Sequence, residues 1–209
     1  MKPWSRKSLG MILISLIAAS AAAYEHPLDS SAIRNAYFLG SSNSESVKFL
    51  SKYKETPPPP KTGPHIAEME VRTPFAQVVV SSREHFAGYS PMQAEQDYKK
   101  DPDTLQVRIQ IRYPAPSPIL PPLACQGVNR MISVQDCFHD FDFRFSQSKD
   151  LQAIRSYGVP IYPGKGDLAG GDVWFTLRAA EVASAPLRVT VSTPDGQEVS
   201  ATFDLGTLR

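Results

Sequence analysis

The chain has 209 residues, with 22 Lys and Arg against 21 Asp and Glu, four His and two Cys. That length suits one domain, or one domain with a small appendage. A charge so close to neutral, with Lys and Arg scattered, carries no electrostatic footprint for nucleic acid.

The N-terminus, "MKPWSRKSLGMILISLIAASAAAYEHPL", sets Lys2, Arg6 and Lys7 ahead of an apolar run from Leu9 to Ala19 and a tract of small residues ending at Ala23. The pattern predicts a secretory signal peptide over 1–23, cut after Ala23. Its apolar run falls short of the roughly 20 residues that span a bilayer, so no membrane span is expected after cleavage. Cleavage would take three of the 22 basic residues and none of the acidic ones, leaving 19 against 21 and a net charge of about −2. The expected product is soluble and exported, periplasmic or extracellular, with Trp174 as its only tryptophan.

Residues 29–40, "DSSAIRNAYFLG", predict a short helix: Asp29 or Ser30 can cap it, Ile33, Ala36 and Tyr37 share a face, and Gly40 can end it. A second helix is expected in "SESVKFLSKYKE", where Val47, Leu50 and Tyr53 recur at near-helical spacing, so that 24–56 becomes an N-terminal helical hairpin. "TPPPPKTGP" forbids both helix and central strand, because consecutive prolines lack amide donors and hold φ near −65°. It reads as a semi-rigid connector over 57–64, leading into a body at 65–209.

From Ile66 the apolar period becomes two. "AEMEVRTPFAQVVVSS" predicts two strands, or one strand bent at Pro74. In "GYSPMQAEQDYKK" Ser90 can cap and Pro91 suits the first position of a short helix. "TLQVRIQIRY" alternates Leu105, Val107, Ile109, Ile111 and Tyr113 with Gln106, Arg108, Gln110 and Arg112, a half-buried strand with a wet, basic face. "FDFRF", "DVWFTLRA" and the two runs flanking Pro194-Asp195-Gly196 supply further strands, the last two as a hairpin. Six or seven strands without strand–helix alternation predict a mainly β (α+β) chain. The expected fold is an antiparallel β-sandwich, immunoglobulin-like or similar, with the N-terminal helical hairpin attached.

Cys125 and Cys137 form an even pair in a chain expected to be exported, separated by a loop-forming segment, and a disulfide is the expected outcome. Closing that loop would stabilise by about 3 kcal/mol in the chain-entropy account. A zinc site would need two more ligands, and only His139 is near in sequence. His65 and Glu68 make His-x-x-Glu but open a strand, not a helix. In "HDFD", His139 and the pair Asp140 and Asp142 fall on opposite faces of a strand. No Gly-x-Ser-x-Gly elbow is present, and Pro91 removes the amide that would follow a Ser90 nucleophile. "PGKGDLAGGD" precedes a strand and lacks the Lys-Ser/Thr ending of a phosphate loop. No catalytic residue, metal or cofactor is therefore assigned.

One segment reads as a binding surface. "SREHFAGYSPMQAEQDY" gathers Arg83, His85, Tyr89, Asp97 and Tyr98 in a loop and short helix between strands, where mixed aromatic and charged groups often recognise partners. The same aromatics are also what would close one end of the core.

The stretches "SSAIRNAYFLG", "TGPHIAEMEVRTPFAQVV", "GYSPMQAEQDY" and "TPDGQEVSATFDL" resemble a group of exported bacterial proteins that has no established function. That resemblance implies export and no activity, ligand or catalytic residue. The expected function is a soluble exported module that binds a protein or another component of the cell envelope. The alternative is a hydrolase or metal-dependent enzyme that assembles His65, His85, His139 and carboxylates from separate strands.

Overall fold

The computed structural model describes residues 24–85, 88–100, 103–114, 133–162 and 169–209. The expected signal peptide, Cys125 and most of the glycine-rich stretch at 163–172 lie outside them. Five helices and nine strands are described: α1 (Ser30–Ser41), α2 (Asn43–Leu50), β1 (Lys54–Glu55), β2 (His65–Arg72), α3 (Pro74–Glu84), α4 (Pro91–Lys100), β3 (Thr104–Arg112), α5 (Val134–Cys137), β4 (Asp142–Ser146), β5 (Asp150–Leu151), β6 (Arg155–Ile161), β7 (Gly170–Arg178), β8 (Pro186–Ser192) and β9 (Glu198–Asp204). The chain is α+β and mostly β. Its strands form two antiparallel sheets, one in the order β1-β2-β3-β7-β6 and one in the order β5-β4-β8-β9.

The strands form where apolar residues alternate. In β3, Leu105, Val107, Ile109 and Ile111 are all buried, and their register partners in β7 include Leu177, Phe175 and Val173. The sheets meet through aromatic rings, with Phe143 and Phe145 of β4 lying 4.8 and 5.0 Å from Phe175 of β7. Leu187, Val189 and Val191 of β8 and Phe203 of β9 belong to the same buried cluster as the helical residues Ile33, Leu50 and Val79. The β8–β9 hairpin turns through Thr193–Gln197, with Gly196 at φ 82, a left-handed conformation that glycine adopts without a Cβ clash.

Three local expectations are corrected. The segment after Thr73 is helix α3, not a strand bent at Pro74. Proline occupies the helix start, where no amide donor is needed, and the Thr73 hydroxyl caps the Ala76 amide at 3.2 Å. The β-branched run Val78–Val80 is then tolerated because all three residues are buried.

Gly40 does not end α1. It lies inside the helix, where a Cβ would stand 2.4 Å from the Val79 carbonyl oxygen and 2.6 Å from Ser82 Cβ, so its smallness lets α1 press against α3.

In α2 the buried side is carried by Ser46 and Leu50, while Val47 is 52% exposed. The helix stops at Leu50, and a 3-10 turn over Ser51–Tyr53 carries Tyr53 into the core. That tightening of the last turn moves the apolar phase away from the regular helical repeat.

Candidate functional site

A cleft of about 220 Å³ opens where α3 and α4 meet the ends of β3, β6 and β7. Its helical wall carries Gln77 and Ser81 of α3, Tyr89 before α4, and Asp97 and Tyr98 of α4. Its sheet wall carries Gln106 of β3, Thr176 of β7, and Ile154 and Arg155 at the start of β6. Three of the five sequence-derived binding residues, Tyr89, Asp97 and Tyr98, therefore line one cavity. His85 stands beside it, stacked on the Tyr89 ring at 4.5 Å between centroids. Arg83 lies in the last turn of α3 and is not part of the lining.

The walls are fixed by hydrogen bonds that the sequence order explains. Ser90 accepts from the Gln93 amide at 3.2 Å and starts α4 next to Pro91, as expected from the capping pattern. Gln77 donates to the carbonyls of Arg72 at 3.2 Å and Thr104 at 2.6 Å, tying α3 to the end of β2 and the start of β3. The Tyr37 hydroxyl donates to the Tyr89 carbonyl at 2.9 Å. The Tyr98 hydroxyl donates to the Asp103 carboxylate and accepts from the Leu28 amide, the latter at 2.9 Å. The segment before α1 is thus tied to Tyr98 in the cleft wall.

The electrostatics of the two carboxylates differ. Hydrogen bonds from Lys100 and Gln93 hold Asp97 below the ordinary carboxylate range. Burial pushes Asp103 up, with only the charge of His26 acting the other way. Burial, then the neighbouring Asp97, raises the Tyr89 phenol, so its hydroxyl is neutral at physiological pH. The site offers neutral donors and acceptors, two carboxylates and one guanidinium. Arg155 is exposed and makes no ion pair among the described residues.

A second polar constellation, missed from the sequence, covers the outer face of the five-stranded sheet. Cross-strand register places Lys54, Glu70, Arg108, Trp174 and Tyr157 in one row across all five strands. Glu70 is 1% exposed and lies 2.7 Å from Arg72 Nε, 3.3 Å from Arg108 Nε and 3.7 Å from Lys54 Nζ. Glu68 pairs with Lys54 at 2.9 Å and with Arg108. The guanidinium groups of Arg72 and Arg108 lie 4.7 and 5.9 Å from the Trp174 ring, and Tyr157 stacks beside it with an interplanar angle of 10°. The face expected to be basic is therefore charge-compensated. The alternation of Glu68, Glu70 and Arg72 was readable, but their partners depend on register.

The remaining histidines are dispersed. His65 opens β2 opposite Arg112. His139 is exposed and its Nε2 lies 3.1 Å from Asp140. Phe138 and Phe141 turn into the core on either side of that pair, and β4 begins only at Asp142. Among the described residues no group of three or more His, Cys, Asp or Glu is placed to hold a metal ion. Among them, too, no helix is long and apolar enough to cross a membrane. Cys137 is buried at the end of α5, while its expected partner Cys125 lies outside the described residues. Comparison of the chain with protein-family models, curated proteins and solved structures finds no match.

Proposed function

We propose that this chain is an exported, non-enzymatic binding module that docks a segment of an envelope protein in the cleft between α3, α4 and the sheet. The observation that carries the reading is the convergence of Tyr89, Asp97 and Tyr98 with Ile154 and Arg155 on one cavity. The first three are distant in sequence from the last two, and together they combine aromatic surface, polar groups and a cation that makes no ion pair among the described residues. Pockets for whole small molecules usually run from about 300 to 1,000 Å³. At about 220 Å³ the cleft suits one or two side chains of a macromolecular partner better.

The same reading takes the two sheets as a β-sandwich of immunoglobulin-like or similar kind, with α1 and α2 as a helical hairpin. It includes removal of 1–23 on export, a disulfide between Cys125 and Cys137, and membership of the exported bacterial group that the sequence resembles. The pattern of Lys2, Arg6 and Lys7 before the apolar run supports export, and the ring contacts from Phe143 and Phe145 to Phe175 support facing sheets.

The test is capture from envelope extract by immobilised mature protein. Asp97→Lys and Ile154→Lys alter the cleft, and Val47→Lys is an exposed control on α2. A specific protein retained by the wild type and the control, and lost from both cleft variants, is expected. Equal capture by the cleft variants would remove the cleft from the interaction.

A further inference from the structure

The four ends of the two sheets are not alike. At one end of the larger sheet, β1 is two residues long, and at one end of the smaller sheet so is β5. β9 is seven residues long but exposes Glu198 and Asp204 at its two ends, charges that discourage pairing. β6 is also seven residues long, and among the described residues it pairs only with β7. Pro160 and the ring of Phe138, which packs against Gly171, blunt its far end. The near end has neither device. Residues 152–156 are exposed there, Ile154 is 45% exposed, and Val159 farther along is 36% exposed.

That near end is also one wall of the cleft. Arg72, Gln106, Thr176 and Arg155 are successive register partners across β2, β3, β7 and β6, so they form one row on the outer face. Three of the four, Gln106, Thr176 and Arg155, line the cavity. A strand added beyond β6 would extend this row by one residue, with its side chain standing at the cleft mouth beside Arg155. Like charges directly opposite each other across strands are destabilising and opposite charges stabilising. Arg155 has no ion pair among the described residues, whereas Asp97 is already held by Lys100 and Gln93 and Asp103 by Tyr98. A planar guanidinium is suited to bidentate pairing with a carboxylate.

We propose that the partner is presented as an extended peptide segment that pairs with β6 as a further strand and sets an acidic side chain opposite Arg155. This rests on the reading of the cleft as a protein-binding site and names the form and charge of what enters it. Main-chain hydrogen bonds to the open edge supply affinity that does not depend on sequence, and the Arg155 row supplies selectivity. Ile154 and Val159 give the added strand apolar contact.

The probes are fluorescently labelled octapeptides of alternating threonine and valine, with one glutamate moved through each position, and matched sets bearing glutamine or lysine there. Fluorescence anisotropy with the mature protein is expected to show one glutamate position binding at least about ten-fold tighter than its glutamine and lysine counterparts, a difference of about 1.4 kcal/mol. Arg155→Gln is expected to abolish that preference. N-methylation of alternate peptide amides in one of the two phases is expected to weaken binding by a similar factor, because it removes donors without touching the protein. Equal binding of glutamate and glutamine peptides, a preference that survives Arg155→Gln, indifference to N-methylation in both phases, or no binding by any probe would each overturn the inference. Partner capture that depends on Asp97 and Ile154 while the peptides fail would overturn strand addition alone. Capture that ignores the cleft variants would overturn the underlying reading.

Discussion

Glu70 takes its shortest ion pair from Arg72, two residues along the same strand, at 2.7 Å. Residues i and i+2 of a strand share a face, so the pair is local. Its neighbours are not: Lys54 and Arg108 arrive from β1 and β3 through register. Burial acts to raise the Glu70 carboxyl, but the hydrogen bond and charge of Arg72, with Lys54 and Arg108, outweigh it and hold it below its ordinary 4.5.

A depressed carboxyl contributes stability that is fully present above the unfolded value and is lost as pH falls through the folded one. Urea midpoints should therefore be flat above about pH 5 and fall below it, with Glu70→Gln showing a shallower fall. At pH 7, Glu70→Gln should cost about 2–3 kcal/mol, less than for a fully buried pair because both arginines keep some solvent contact. An acid dependence unchanged by Glu70→Gln would mean that another carboxylate governs it.

Gly40 is where α1 approaches α3, and a single methyl there meets the Val79 carbonyl and Ser82 Cβ. Gly40→Ala should destabilise by about 1–3 kcal/mol, the range for overpacking, although alanine is the better helix former by about 1 kcal/mol. Thermal unfolding followed by circular dichroism measures it, and a raised midpoint would show that the helices can separate at little cost.

Thr73 acts twice, accepting from the Ala76 amide and donating to the Arg209 carbonyl at 2.5 Å. Thr73→Val keeps the shape and removes both bonds. Loss of the cap together with a buried bond should cost about 2 kcal/mol. Chemical denaturation of the variant against wild type decides it, and a change under about 0.5 kcal/mol would contradict a capping role.

The disulfide proposed for Cys125 and Cys137 predicts no titratable thiol in denatured, unreduced exported protein. Reduction should lower stability by about 3 kcal/mol. Two thiols in such material would exclude the bond.

The elements legible in the sequence were those governed by their own residues. Leu105 to Ile111 alternate because one face of β3 is buried, Ser90-Pro91 starts α4, and Pro194-Asp195-Gly196 turns the last hairpin. Pro74 misled because proline suits both a strand break and a helix start, and only burial of Val78–Val80 against neighbouring elements selects the helix. Val47 was expected inside because its spacing from Leu50 and Tyr53 is nearly helical, but the 3-10 turn after Leu50 breaks that phase.

The candidate site divides in the same way. Tyr89, Asp97 and Tyr98 were within reach of sequence reading because they lie in one aromatic and charged segment. Ile154, Arg155, Gln106 and Thr176 were not, because they come from three strands whose neighbours are set by register. The sequence by itself determined the amphipathic strands, the caps and turns, and the pattern at 1–23 that predicts export. Only the tertiary structure decided that Glu70 lies among three cations, that β6 is an outer strand among the described residues, and that Arg155 lines the same cleft as Asp97 and Tyr98 of α4. Hydrophobic periodicity acts within one segment, whereas the pairing of charges and the choice of edge depend on which strands lie side by side.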